Sequence, residues 1–117
     1  MYNTNAMKEE QLSKVICQVL DLQKVYYFHP ANEGKRSKYM IRHFHNSGGR
    51  AGVADLVLLL KGGETVFVEL KTETGRPRKS QLEFKATVEK LGFDYQIWRS
   101  ADDAINYLNK KGFKWIQ

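Results

Sequence analysis

The chain has 117 residues, with 19 Lys and Arg against 13 Asp and Glu, which gives a formal charge of +6. An apolar share of 42% can build a core, and a single cysteine excludes an internal disulfide. No apolar run approaches the ~20 residues that a membrane-spanning helix needs, and the first residues lack the apolar stretch of a secretory leader. These features predict one soluble, cytoplasmic domain over residues 1–117, whose charge favours phosphate-rich partners.

The N-terminal part of the chain predicts a helix, a strand and a shorter helix. Apolar residues at helical spacing predict the first helix over about residues 7–22. The β-branched and aromatic stretch VYYFH predicts a strand over residues 25–29, which Pro30 ends. After the polar loop PANEGKRS, a short helix is predicted over residues 37–46, and HNSGGRAG follows as a loop.

Two apolar runs then flank the glycine pair Gly62-Gly63. They predict hairpin strands over residues 55–60 and 65–71. Ser80 followed by Glu83 has the capping-box pattern, so the next helix is predicted to begin at Ser80.

The end of the chain predicts one more strand and one more helix. FDYQIW, residues 93–98, has strand composition, and Ser100 with Asp103 opens a helix that Gly112 ends. The tail FKWIQ is a further strand candidate, in which Trp115 is a candidate for packing into a partner subunit. A hairpin followed by a helical crossover to a parallel strand predicts an α/β fold with a mixed sheet and helices on both faces.

The length of the hairpin loop decides whether Asp55 shares a face with Glu69 and Lys71. Glu69 and Lys71 are two residues apart on one strand, so they point to the same face. A two-residue turn at the glycine pair would pair Asp55 with Leu70 and direct the aspartate to the opposite face. A three-residue loop beginning at Lys61 would pair Asp55 with Glu69. We expect this odd loop, or a bulge near Asp55, although a glycine pair alone favours the shorter turn.

Two carboxylates gathered in this way need a cation. Carboxylates within ~4–6 Å repel each other and raise each other's pKa unless a positive charge intervenes. Oxygen ligands from two side chains, a backbone carbonyl and waters suit Mg²⁺, with Mn²⁺ as a substitute. Such an ion activates water for attack on phosphorus, and Lys71 beside it offsets the negative charge that develops there. The face also carries Val57 and Phe67, which makes an ordinary charged strand edge the weaker interpretation.

Three short motifs carry a family resemblance: GVADL on the first hairpin strand, VELKT on the second, and SQ on the following helix. Together they resemble the PD-(D/E)XK nuclease superfamily, and more narrowly the stand-alone virus-type replication-repair nuclease (VRR-Nuc) domains. The resemblance covers the chain from Glu9 to about Trp98 and implies a restriction-endonuclease-like α/β core. One departure is Ala54, where the family usually has a proline that shapes the strand entry and is not a ligand.

The resemblance implies a role for each matching residue. Asp55 and Glu69 would bind the divalent ion, to which Leu70 would add its backbone carbonyl. Lys71 would be catalytic. Gln81 matches the family glutamine, whose amide would orient the water or a phosphate oxygen.

The family also has an acidic residue on its first helix. Glu9 and Glu10 are the two candidates in this chain. Glu9 borders the apolar stripe of the helix whereas Glu10 is expected to point nearly opposite, so Glu9 is the choice.

Two basic segments are candidates for contact with the phosphate backbone of DNA, which positions a nucleic acid without reading its sequence. Their members are Lys35, Arg36, Arg42, Arg76, Arg78, Lys79 and Lys85. Asn32 and Gly34 resemble a polar loop of the family near the site. Stand-alone members resemble dimeric Holliday-junction resolvases, so the resemblance implies a homodimer that cuts branched DNA.

Two other functions stay open. One is a restriction-type or nicking nuclease of the same fold, and the other is a DNA-binding module without activity. The intact set of Asp55, Glu69 and Lys71 disfavours the module. Three histidines and one cysteine do not favour a zinc site.

Overall fold

The computed structural model describes the backbone of residues 4–31 and 37–114, and the side chains of residues 9–31 and 37–114. Four helices and four strands occur in the predicted order. They are α1 (Thr4–Leu22), β1 (Tyr26–Phe28), α2 (Lys38–Asn46), β2 (Leu56–Leu60), β3 (Glu64–Leu70), α3 (Lys79–Lys90), β4 (Asp94–Trp98) and α4 (Ala101–Lys110). Most of the loop PANEGKRS and Trp115 lie outside the described residues, and no strand follows α4 up to Lys114. No helix in the described part of the chain is long and apolar enough to cross a membrane.

The four strands form one mixed sheet in the order β1-β2-β3-β4. β1 pairs antiparallel with β2, and β2 pairs antiparallel with β3. β3 and β4 are parallel, with α3 between them in the chain, which confirms the predicted helical crossover. β1 is therefore one edge of the sheet and β4 the other.

The hairpin between β2 and β3 has the three-residue loop, and the shorter alternative is excluded. Leu60 pairs with Glu64 and Leu56 pairs with Val68, which leaves residues 61–63 as the loop. Gly62 and Gly63 have φ angles of 85° and 79°, a left-handed conformation that side chains rarely adopt. One step beyond Leu56 and Val68, this register places Asp55 opposite Glu69.

Helices cover both faces of the sheet, as the sequence predicted. α1 and α4 pack on one face over the larger hydrophobic core, which includes Ile16, Leu20, Leu58, Val66, Val68, Trp98, Ala104 and Leu108. α3 packs on the other face over a smaller cluster of Ala54, Phe67, Phe84, Val88, Tyr95 and Ile97. Because alternate residues of a strand point to opposite faces, Glu69 lies on the α3 face, between Phe67 and Lys71.

The start of α4 is confirmed and the start of α3 is a correction. Ser100 caps α4, with its side chain accepting from the backbone N–H of Asp103 at 3.3 Å. The prediction that α3 begins at Ser80 is wrong, because Arg78 is the N-cap residue. Gln81 is the third helical residue after this N-cap and makes the capping-box contact expected of a Glu or Gln there. Its Oε1 accepts a hydrogen bond from the backbone N–H of Arg78 at 2.8 Å.

Candidate active site

A cleft of about 580 Å³ opens where β2 begins and β3 ends. It lies at the N-terminal end of α3 and beside the first helix. The cleft is lined by all five residues that the hairpin and the SQ motif predicted, namely Asp55, Glu69, Leu70, Lys71 and Gln81. The register of the hairpin is what brings the two carboxylates together, because a shift of one residue would send Asp55 to the α1 face.

Asp55 is fixed by the backbone of the neighbouring strand. Its Oδ2 accepts a hydrogen bond from the N–H of Leu70 at 2.7 Å. The N–H and C=O of one strand residue point to the same side of the strand, so the Leu70 carbonyl is directed toward Asp55 as well. This places a backbone oxygen and a carboxylate next to each other at the mouth of the hairpin.

Glu69 is a carboxyl group in the interior, with 1% of its surface exposed. Its Oε1 accepts from the Gln81 amide at 3.0 Å, and its Oε2 accepts from the Tyr95 hydroxyl at 3.4 Å. Burial, followed by the nearby Asp55 carboxyl, raises the pKa of Glu69 from 4.5 to about 9. The Lys71 ammonium and the Tyr95 hydrogen bond lower that pKa but do not outweigh burial. At neutral pH and without a cation, the Glu69 carboxyl therefore keeps its proton.

The donor set fits a hard divalent cation. A buried acid that must stay protonated for lack of positive charge is a group that a dication would ionise and hold. Within residues 9–31 and 37–114, no three or more His, Cys, Asp or Glu side chains are arranged so that they alone could hold a metal ion. The available ligands are thus the carboxylates of Asp55 and Glu69, the Leu70 carbonyl and water. That all-oxygen set suits Mg²⁺ or Mn²⁺ rather than Zn²⁺.

Gln81 reaches the site because Gly52 lets α3 approach closely. A Cβ at Gly52 would lie 2.2 Å from the backbone oxygen of Ser80, and the φ of Gly52 is 74°. Both ends of the Gln81 amide are occupied, one by the Arg78 N–H and the other by Glu69. Gln81 therefore positions the buried carboxyl, and its amide retains a second N–H at the edge of the cleft.

Lys71 follows β3 and is 9% exposed. Its backbone N–H donates to the carbonyl of Trp98 at 3.1 Å, which extends the pairing of β3 with β4 by one residue, to Lys71. The loop after Lys71 is held by Arg99, a residue that sequence reasoning missed. Nη1 of Arg99 donates to the carbonyls of Thr72 and Gly75, both at 2.7 Å. One guanidinium thus fixes the segment that joins Lys71 to the basic residues of the cleft.

The predicted DNA contacts fall into four groups. Arg76 and Arg78 line the cleft beside the carboxylates. Lys79 on α3 and Arg42 on α2 are exposed at the surface. Lys85 is engaged elsewhere, because it forms an ion pair with Glu89 at 2.9 Å and does not line the cleft. The last two members of this set, Lys35 and Arg36, lie outside the described residues, as do Asn32 and Gly34.

The family model of the VRR-NUC domain matches residues 2–102, which include every residue of this cleft. The chain belongs to the VRR-NUC family. Two solved structures are similar to it. One, titled VRR_NUC domain, is 21% identical with a TM-score of 0.65 and covers 87% of this chain and 95% of its own. Another, titled VRR_NUC domain protein, is 19% identical with a TM-score of 0.69 and covers 86% and 84%. None of the curated proteins matches the chain significantly.

The resemblance read from GVADL, VELKT and SQ is thereby confirmed, and this VRR-NUC domain has the fold of a nuclease family. The departure at Ala54 has a structural setting. Ala54 is 2% exposed and packs with Val88 and Tyr95 in the cluster under α3. The strand entry before Asp55 therefore packs against α3.

The first helix of the VRR-NUC domain brings two acidic residues to the cleft. Glu9 and Glu10 both line it and both are exposed. The cleft thus meets two adjacent residues of α1. Orientation therefore does not single out Glu9.

Two further site residues escaped the sequence analysis. His29 lines the cleft, and its Nδ1 donates to the backbone carbonyl of Asp55 at 2.6 Å. The available signal was its place directly after β1, at the same end of the sheet as Asp55. Tyr95 on β4 contacts Glu69 through its hydroxyl. The sequence signal for this contact was strand alternation: Tyr95 lies on the same face as Ile97, and Ile97 pairs with Glu69.

Proposed function

We propose that this VRR-NUC domain is a Mg²⁺-dependent, structure-selective DNA endonuclease. Its substrate is branched DNA such as a Holliday junction, and it acts as a homodimer. The observation that supports the proposal most is the convergence of Asp55 and Glu69 on one face of the sheet, in a cleft that Lys71 and two arginines also line. Two buried or half-buried acids beside a lysine have little structural purpose without a cation and an anionic substrate.

Each residue has a separate task in the proposed hydrolysis. Asp55, Glu69 and the Leu70 carbonyl would hold a divalent ion, which would supply Lewis-acid activation of water and phosphate. Lys71 offsets the negative charge that grows on the phosphate oxygens as the phosphorus is attacked. Its low exposure keeps water away and strengthens that interaction.

The arginines hold the DNA backbone next to these groups. Arg76 and Arg78 follow Lys71 in the chain. Arg99 fixes the loop that joins Lys71 to these two arginines. A phosphate bound by Arg76 or Arg78 therefore lies within the same cleft as the carboxylates. Backbone contacts of this kind carry no base specificity, which agrees with reading DNA shape rather than sequence.

The homodimer follows from the substrate. One chain provides one cleft of this kind in its described part, whereas resolving a four-way junction requires two strands to be cut. A symmetric dimer supplies two equivalent sites at fixed spacing. Analytical ultracentrifugation with and without junction DNA tests this part, and a monomer in both conditions would contradict it.

A cleavage panel tests the reaction. Linear duplex, flap, four-way junction and single strands are incubated with Mg²⁺, Mn²⁺ or EDTA. We expect cleavage only with a divalent ion and fastest for the junction. Fastest cutting of linear duplex would instead identify a restriction-type or nicking enzyme.

The variant Asp55→Asn separates a nuclease from a binding module. Asparagine keeps an oxygen for the Leu70 N–H but removes the charge, so cleavage should fall by about 100-fold or more while junction binding persists. Asp102→Asn, on the exposed first turn of α4, is the matched control and should cut normally. If the wild-type protein binds junctions but never cuts them with either ion, the domain is a binding module.

A further inference from the structure

Two aromatic side chains are exposed on the edge strand next to the cleft. Tyr26 is 69% exposed and Phe28 is 45% exposed, both on β1. Leu59, which pairs with Tyr26 across the β1–β2 ladder, is 43% exposed. We refer to Tyr26, Phe28 and Leu59 as the β1 aromatic surface. An edge strand normally carries charged residues, so exposed aromatic rings there call for a physical reason.

The β1 aromatic surface belongs to the same face of the sheet as the carboxylates. Phe28 pairs with Val57, and strand alternation carries this face from Leu59 through Val57 to Asp55. α3 covers only the other half of the face, over Phe67 and Tyr95. The surface is therefore continuous with the cleft, and His29, the next residue after Phe28, already lines it.

Its geometry matches that of a platform for unpaired bases. Aromatic side chains two residues apart on a strand stand side by side, about 6.6 Å apart along it. Sheet-borne aromatics in such arrangements stack on successive bases of a single strand, while cationic residues hold the phosphates. Here Arg76 and Arg78 lie in the cleft at one end of the surface. The chain charge of +6 complements the phosphates of a nucleic acid.

We propose that the β1 aromatic surface stacks on unpaired nucleotides next to the phosphate held in the cleft. Unpaired bases next to the cleavage point, such as those at the opened branch of a junction, then strengthen binding. This inference rests on the proposed nuclease function for the position of the cut, but the stacking itself is measured without cleavage.

The direct test uses a duplex with a four-nucleotide single-stranded tail that carries 2-aminopurine at the branch. Binding is measured in EDTA, where no divalent ion supports cutting. Stacking on an aromatic ring quenches 2-aminopurine, so its fluorescence should fall when the wild-type protein binds. The double variant Tyr26→Thr/Phe28→Thr keeps strand-compatible residues and should lose the quenching. Its affinity for the tailed duplex should be about 5- to 100-fold weaker.

Two comparisons exclude indirect effects. Leu91→Thr replaces a side chain that is 69% exposed at the far end of α3, and should bind and quench like the wild type. Tyr26→Leu/Phe28→Leu keeps an apolar surface but removes the π-faces, so it should fold normally and still fail to quench. In every variant, the salt dependence of affinity should stay unchanged, because no phosphate contact is removed.

Three results would overturn the inference. One is equal quenching by wild type and both double variants. Another is equal affinity of the wild type for blunt and tailed duplex. The third is that Tyr26→Thr/Phe28→Thr converts a dimer to a monomer and still quenches the fluorescence. That result would make the surface an interface between copies of the chain. Quenching without cleavage by the wild type in Mg²⁺ or Mn²⁺ would refute the nuclease proposal and leave the stacking intact.

Discussion

Replacing Glu69 with glutamine is expected to stabilise the metal-free protein as the pH rises. Glu69 is 1% exposed, and burial together with Asp55 raises its pKa from 4.5 to about 9. Between these values, the folded protein keeps a proton that the unfolded chain has already lost. The unfolded state then binds fewer protons than the folded state, so the free energy of unfolding falls as the pH increases. Below pH 4.5 both states are protonated and Glu69 has no such effect.

The size of this effect follows from the width of the pH window. One group contributes a slope of about 1.4 kcal/mol per pH unit. Going from pH 5 to pH 8 therefore removes up to about 4 kcal/mol from the free energy of unfolding, a large share of the ~5–15 kcal/mol typical of a domain. Glutamine has no proton to lose, has nearly the same shape, and still accepts the hydrogen bond from Gln81. The Glu69→Gln variant should escape the loss.

Urea unfolding in EDTA, followed by far-UV circular dichroism at pH 5, 6.5 and 8, measures the difference. Wild type and Glu69→Gln should be similar at pH 5 and should diverge with pH, the variant being more stable at pH 8. Glu83→Gln is the control, since this α3 carboxylate is 67% exposed and should show no divergence. If wild type and Glu69→Gln lose stability in parallel, Glu69 is already ionised in the folded protein and the reasoning is refuted.

Three further substitutions address the elements that position the site. Gly52→Ala should destabilise the fold by more than about 1 kcal/mol in urea unfolding, because its Cβ would meet the Ser80 carbonyl at 2.2 Å, and near-wild-type stability would contradict that contact. Arg99→Met should slow cleavage through a lower kcat, since methionine keeps an extended side chain but removes the N–H groups that donate to the Thr72 and Gly75 carbonyls, while an unchanged kcat would show that the loop is held by other means. The double variant Arg76→Gln/Arg78→Gln should reduce the salt dependence of DNA binding by about two counterions, and an unchanged slope in binding titrations would remove both arginines from the DNA interface.

The hairpin site could be predicted from sequence because its geometry is local. Strand alternation and the number of loop residues decide whether Asp55 lies on the same face as Glu69. The need to bring both carboxylates to one face therefore predicted the three-residue loop, although the glycine pair alone favours a two-residue turn. The parallel arrangement of β3 and β4 followed equally from the helix between them. Both rules operate over short distances in the chain.

Two of the residues that the sequence analysis missed, Arg99 and Tyr95, are distant in the chain from the groups that they contact. Arg99 holds a loop that begins 27 residues earlier, and Tyr95 contacts Glu69 across 26 residues. Nothing in the sequence around Arg99 signals its contact, and strand alternation places Tyr95 on the α3 face without identifying Glu69 as its partner. The start of α3 was misplaced for a different reason. Ser80 has the better capping side chain, but Gln81 is committed to both Glu69 and the Arg78 N–H, and this tertiary contact moves the helix start to Arg78.

Calorimetric titration of Mg²⁺ and Mn²⁺ into the protein at pH 7 is the most direct test of the carboxylate site. Titrations in two buffers with different ionisation enthalpies give both the affinity and the number of protons released. We predict one site that releases close to one proton, because a cation between Asp55 and Glu69 displaces the proton that Glu69 holds at this pH. Asp55→Asn should weaken binding by more than about 10-fold. Absence of binding, or equal affinity in wild type and Asp55→Asn, would contradict a metal site at this hairpin.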